Sequence, residues 1–187
     1  MPIYQNATVT TTKLIIGNFK METSPYASAA GSFTWVNLGA GIVNSGVHNV
    51  EKYNVQAGNA PDPMEGISRE DVKVEMELIE YDASALTSIS CGAMTGASAG
   101  TVYTVIAGGN TVLTPRAFRF TNTRIISGAT KETILTVFSA TVDNGFSFNA
   151  KSDNDTDPIM VMPVSITGKP DSTRSAGTQL FTISKTL

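Results

Sequence analysis

The chain has 187 residues, a formal net charge of −3, 16% charged residues and a single cysteine, Cys91. That length suffices for one self-supporting core, the lone cysteine excludes an intrachain disulfide, and the acidic balance offers no overall positive field for holding phosphates. No apolar run approaches the roughly 20 residues that span a bilayer, so no membrane partner is expected. Met1-Pro2-Ile3-Tyr4-Gln5 lacks a basic region followed by an apolar stretch, so no secretory signal is expected either.

In chain order, residues 1–8 read as an N-terminal arm, followed by β-rich runs at Val9 to Ile16, Phe33 to Leu38 and Val47 to Val55. Gln56 to Gly66, with Pro61-Asp62-Pro63 inside it, reads as a projecting loop. Period-2 alternation is clearest from Asp71 to Leu78. Val72, Val74, Met76 and Leu78 point one way and Asp71, Lys73, Glu75 and Glu77 the other. Glu, Met and Leu also favour helix, but this alternation would scatter around a helix instead of forming one stripe, so a strand with one wet face is expected.

One short helix is expected from Asp82 to about Ser90, with Asp82 or Ser84 as N-cap, Leu86 and Ile89 facing a core and Gly92 as terminator. Cys91 to Gly100 is small and flexible in character, a loop or an insertion, and Thr101 to Ile106 reads as a short strand. Ala117 to Ile126 and Thr133 to Val142 are further strands. In the latter, Ile134, Phe138, Ala140 and Val142 line one face while Leu135 and Val137 take the other, which predicts a strand covered on both sides. A loop rich in Asn, Asp and Gly spans Asp143 to Pro158, and strands at Ile159 to Ile166 and Gln179 to Ser184 close the chain. Pro163 cannot donate to a ladder and belongs at an edge or a bulge. The expected fold is mainly β: one domain over residues 1–187, an antiparallel sandwich or barrel with one short flanking helix and long loops.

Chemical motifs are weak throughout. His48 is the only histidine, so a nucleophile-plus-base catalyst would have to be built on it, and no Gly-x-Ser-x-Gly elbow accompanies it. A strand histidine, exposed or satisfied by a neighbour, is the preferred reading, and an enzyme is not expected. Asp153, Asp155 and Asp157 alternate as calcium-loop ligands do, but Pro158 stands where glycine is required and Val164 where glutamate is required, so a solvated acidic loop is favoured over an irregular calcium site. Gly39-Ala40-Gly41 with Gly46 reads as turn chemistry, and Gly168-Lys169-Pro170 lacks the Ser or Thr of a phosphate loop, so no cofactor is expected. Arg116-Ala117-Phe118-Arg119-Phe120 interleaves basic and aromatic residues as a base-stacking sheet does, but phenylalanines at this spacing equally suit a core-facing strand, which the acidic composition favours.

The order of landmarks resembles the tail-tube (major tail) proteins of long, non-contractile-tailed bacteriophages. Trp35-Val36-Asn37-Leu38-Gly39 is similar to that family's early strand and turn, followed by the Val-rich run Val47 to Val55, a loop, the acidic strand Glu70 to Tyr81 and a helix opening Asp82-Ala83-Ser84-Ala85-Leu86. Ile159 to Ile166, Gly168-Lys169-Pro170-Asp171 and Gly177 to Ile183 resemble its closing pair of strands. The resemblance implies a structural virion protein, made in the host cytoplasm, that forms hexameric rings stacked into a tube for passing DNA. It also implies tail-tip initiator, tape-measure and tail-terminator proteins as partners. On this reading the stripe Asp71, Lys73, Glu75 and Glu77 faces the lumen, where a weakly acidic wall avoids retaining DNA. The loop residues Asn59, Pro61, Asp62, Pro63 and Met64 reach the next ring, and their deletion is expected to leave folded subunits that elongate poorly. Rival readings are a tube subunit of a contractile tail, tailocin or secretion system, and a β-sandwich adhesin or carbohydrate-binding module, which the 7% aromatic content supports thinly.

Overall fold

The computed structural model describes residues 19–55, 64–81, 87, 94–99, 102–107, 114–143, 149–151 and 159–186. Its strands are β1 (Phe19–Pro25), β2 (Val36–Val55), β3 (Met64–Tyr81), β4 (Met94–Ala99), β5 (Val102–Ala107), β6 (Arg116–Ile126), β7 (Ala129–Val142), β8 (Asn149–Lys151), β9 (Ile159–Gly168) and β10 (Phe181–Lys185). Seven of them form one antiparallel sheet in the order β10-β7-β6-β1-β2-β3-β9, extended on β9 by the short β8. The sheet closes on itself. Ala140 to Val142 of β7 pair with Ile166 to Gly168 of β9, while β10 occupies the same edge of β7 lower down, from Thr133 to Val137. Closure satisfies the ladder groups that an open edge would leave free and encloses one core.

That core contains Met21, Leu38, Phe118, Phe120, Val137, Met162, Val164 and Ile166, with the apolar face of β3 at its centre. Val72, Val74, Met76 and Leu78 are all buried, as the period-2 pattern predicts. Phe118 and Phe120 are both core residues, so the aromatics of the base-stacking motif are not available to a nucleic acid. Burial of such side chains contributes about 1.5–3 kcal/mol each.

The expected division of β7 into two faces needs a correction. The register to β6 shifts between Phe118↔Val137 and Arg116↔Ala140, which places an extra residue in β7. Beyond this bulge the inward parity changes, so Val137 and Ala140 both belong to the core and Leu135 and Val142 both pack against it. Phe138 is left on the opposite side and is still buried, stacked on Phe33 with centroids 6.3 Å apart and covered by the Arg174 guanidinium 3.9 Å from its ring centroid. The strand is thus covered on both sides, by a different set of residues from the one alternation assigns.

Other departures concern the extent of the strands. The runs Phe33 to Leu38 and Val47 to Val55 are not two strands, because β2 continues from Val36 to Val55. Gly41 serves a sheet contact, not a turn: a Cβ there would meet the Glu77 carbonyl oxygen, and the ladder absorbs bulges near Gly41 and between Val43 and Ser45. Met94 to Ala99, expected within a loop, is strand β4 paired to β5. Phe19 to Pro25, not anticipated as a strand, is β1 and lies between β2 and β6. Met64 is not a loop residue, since it pairs with Val55 at the end of the β2–β3 hairpin. Asn59, Pro61, Asp62 and Pro63, the run Val9 to Ile16, the arm 1–8, Cys91 and the triplet Asp153, Asp155, Asp157 lie outside the described residues. So does the expected helix, apart from Thr87. Pro163 pairs with Glu77 on its β3 side and sits on the other edge of β9 between the β8 and β7 ladders, as a residue without an N–H requires.

The connector between β1 and β2 is fastened to the C-terminal loop by Asp171. This buried carboxylate accepts from Tyr26 Oη at 2.9 Å, Thr173 Oγ1 at 2.7 Å and Arg174 Nε at 3.0 Å. Burial would raise its pKa, but the Thr173 and Tyr26 hydrogen bonds and the Arg174 charge outweigh that and hold it below the usual carboxylate range. Nearby, Glu22 binds Arg119 at 2.6 Å, and Arg119 lies over Trp35 at 4.6 Å.

Candidate assembly surface

The hairpin β2–β3 is longer than the barrel that holds it. β1 pairs with β2 only from Val36 to Gly41, and β9 pairs with β3 only from Val72 to Leu78. From Asn49↔Asp71 to Val55↔Met64 the two strands pair with each other alone, and among the described strands nothing pairs with the other edge of β2 beyond Gly41. The result is a two-stranded arm whose outer edges pair with no described strand.

The arm and the open stretch of β2 that leads to it carry apolar side chains in solvent. Ile42 and Val47 before the arm, and Val50, Tyr53 and Ile67 on it, range from 41% to 58% exposed. They cannot be explained as core, because cross-strand partners share a face and these positions occur on both faces of the hairpin: Val47 opposes Lys73 on the polar face, whereas Val50 opposes Glu70 on the face that continues the core. Tyr53 lies directly over Gly66, where any Cβ would collide with its ring. Isolated two-stranded ribbons are marginal in water, and an apolar one with open edges gains most from a further strand or surface.

The polar face of β3 holds the residues read as a lumen stripe. Lys73 and Glu75 form a 2.8 Å ion pair, Ser45 Oγ donates to Glu75 at 3.2 Å, and Arg69 pairs with Asp71 at 3.1 Å. The Glu75 hydrogen bond raises the Lys73 pKa, and the hydrogen bonds from Lys73 and Ser45 lower that of Glu75. Lys73 is exposed and Glu75 and Glu77 are half-buried, but Asp71 is only 8% exposed. The reason is local: Arg69 and the Asn49 amide, which donates to Asp71 at 2.7 Å, cover it. Two cations, Arg69 and Lys73, stand against the carboxylates Asp71, Glu75 and Glu77 of the stripe, and Glu51, opposite Arg69, and Asp143, held by Ser165 and Thr167, add to them, so this face carries a net negative charge.

His48 sits at the rim of the arm with Nε2 2.7 Å from Glu70 Oε1 and its ring edge-on to Phe181. No nucleophile adjoins it in these contacts, in keeping with a strand histidine satisfied by a neighbour. Among the described residues no group of three or more His, Cys, Asp or Glu side chains is placed to hold a metal, and no helix is long and apolar enough to cross a membrane. Sequence reasoning missed the open edge of β2. The available signal was that residues 23–50 contain no Asp, Glu, Lys or Arg, which deprives β2 before the arm of the charges that ordinarily protect an edge. No protein-family model matches the chain, and no curated protein matches it.

Proposed function

We propose that this chain is a structural subunit that assembles with copies of itself into rings and then a hollow tube, in the manner of the phage tail-tube proteins that its sequence resembles. The observation that carries the reading is the β2–β3 hairpin, where no described strand pairs with β2 beyond Gly41 or with the outer edge of β3 before Val72 and where Ile42, Val47, Val50, Tyr53 and Ile67 are exposed. Identical neighbours in a ring would pair such edges and bury such side chains, and stacking of rings is an open-ended symmetry that gives length. The net negative charge and the internal ion pairs of the Asp71-Lys73-Glu75-Glu77 face suit a lumen wall that does not retain DNA, because phosphate binding depends on several simultaneous cationic contacts. The segment beyond Val55 and before Met64 would reach the adjoining ring. Removing Asn59 to Pro63 is expected to leave folded subunits whose tubes elongate poorly.

Negative-stain electron microscopy of the purified protein, dilute and then concentrated, tests the reading. Rings or hollow tubes of uniform diameter are expected. Particles that stay monomeric when concentrated, and also after addition to a tail-tip complex, would overturn it and favour a β-sandwich binding module.

A further inference from the structure

The hairpin β4–β5 stands outside this account. Its strands pair with each other from Met94↔Ala107 to Ala99↔Val102 and form a sheet of their own, joined to no strand of the barrel among the described residues. A two-stranded hairpin is marginally stable alone in water. This one also lacks the usual protection of an exposed edge, since residues 83–115 contain no Asp, Glu, Lys, Arg or His. A chain in which 16% of residues are charged would ordinarily place several there. Strands exposed to water are normally guarded by charges, lysine above all, whereas the centres of protein interfaces are depleted of them. The exposed Ile106, at 63%, adds an apolar side chain to the same ribbon.

We infer that β4–β5 is a donor hairpin that adds to the open edge of β2, between Ile42 and Val50, in a second copy of this chain. Two features of the acceptor select this occupant. It is open over the length required, because β1 stops pairing at Gly41 and each donor strand is six residues long. It is also electrostatically matched, because Ile42 to Val50 carries no Asp, Glu, Lys or Arg, so two neutral edges meet and no charge is buried without a partner. Pairing would supply backbone partners that, among the described residues, both edges lack, and cover Ile106 together with Ile42, Val47 and Val50. The inference rests on the self-assembly reading for its choice of partner, but it assigns the contact to a segment for which the family resemblance provides no counterpart.

The test uses full-length protein in a Cys91→Ser background. One preparation carries Thr104→Cys on β5, another Val47→Cys on β2, and a control carries Thr130→Cys on the β6–β7 hairpin; all three positions are exposed, so folding is not at stake. Mixed preparations are treated with a short bismaleimide. The 104–47 mixture is expected to give a heterodimer and the 104–130 mixture none, and Ile106→Lys added to the donor is expected to abolish the product while leaving the thermal midpoint unchanged. A 104–47 yield no higher than the control overturns the inference. The result is separable from the tube reading: tubes without the crosslink leave the tube and remove the hairpin's role, and the crosslink without tubes leaves the donor contact and removes the tube.

Discussion

The barrel and the β2–β3 arm are made of the same strands yet end in opposite states. Within the barrel, β3 has a neighbour on each edge, and Val72, Val74, Met76 and Leu78 are sealed from water. A few residues away along the same strand, Ile67 is 58% exposed and the outer ladder partner is gone. The arm's part of β3 is richer in charge, with Glu65, Arg69 and Glu70, and among the described residues it has no third strand beside it. Apolar burial and edge pairing, the two requirements of a β-protein, are both met for β3 inside the barrel and, among the described residues, unmet along the arm.

The sharpest way to break this contrast is to substitute one apolar residue in each region. Phe118→Ala, at a fully buried site, is expected to cost about 3–5 kcal/mol and to lower the thermal midpoint strongly. Ile67→Asp should change subunit stability by no more than about 0.5 kcal/mol while abolishing assembly. Comparable destabilisation by both, measured by urea unfolding, would mean that the arm is part of the core after all.

A second pair of substitutions compares backbone contacts. Gly41 lies where β2 meets the Glu77 backbone at the barrel wall, and Gly41→Ala is expected to cost about 1–3 kcal/mol through forced separation of β2 and β3. Gly46, with nothing within 4 Å of a built Cβ, should accept alanine with little change. Equal effects in the same unfolding assay would show that the bulged β2 does not have the close approach described for Gly41.

A smaller effect concerns the loop closing the barrel's other side. Asp171 and Glu22 both have folded-state pKa values below their ordinary ones: burial opposes this, but donors from Thr173, Tyr26 and Arg174 in one case and from Lys20 and Arg119 in the other prevail. The unfolded chain therefore binds protons at these sites more readily. Their contribution is present above the ordinary carboxylate range and lost as pH falls through it, below about 4. Asp171→Asn should lower stability by about 1–3 kcal/mol at pH 7 and shallow the loss of stability on acidification. An unchanged acid limb in pH-resolved thermal melts would remove Asp171 from that account.

Much of the barrel was legible because burial imposes period-2 order: Val72 to Leu78 and the Phe118, Phe120 pair are readable directly. The correct faces of β7 were not, since one bulge reverses parity and leaves no mark in local composition. The continuity of β2 was hidden by glycines that favour turns in isolation and here admit close strand contact at Gly41. Strand β1 escaped notice because Lys20 and Glu22 make it look solvated, whereas Glu22 is buried against Arg119. For the candidate surface, the alternation gave the polar stripe but not the cover over Asp71, which depends on Asn49 from another strand. The apolar arm depends on where β1 and β9 stop pairing, and that is a property of register.

Amide hydrogen exchange, followed on the monomer and on assembled material, tests most directly whether the arm is completed by another copy. Protection is expected to rise across residues 42–55 and 64–71 on assembly while residues 72–78 and 117–121 stay as protected as in the monomer. Arm amides that exchange equally fast in both states would contradict it.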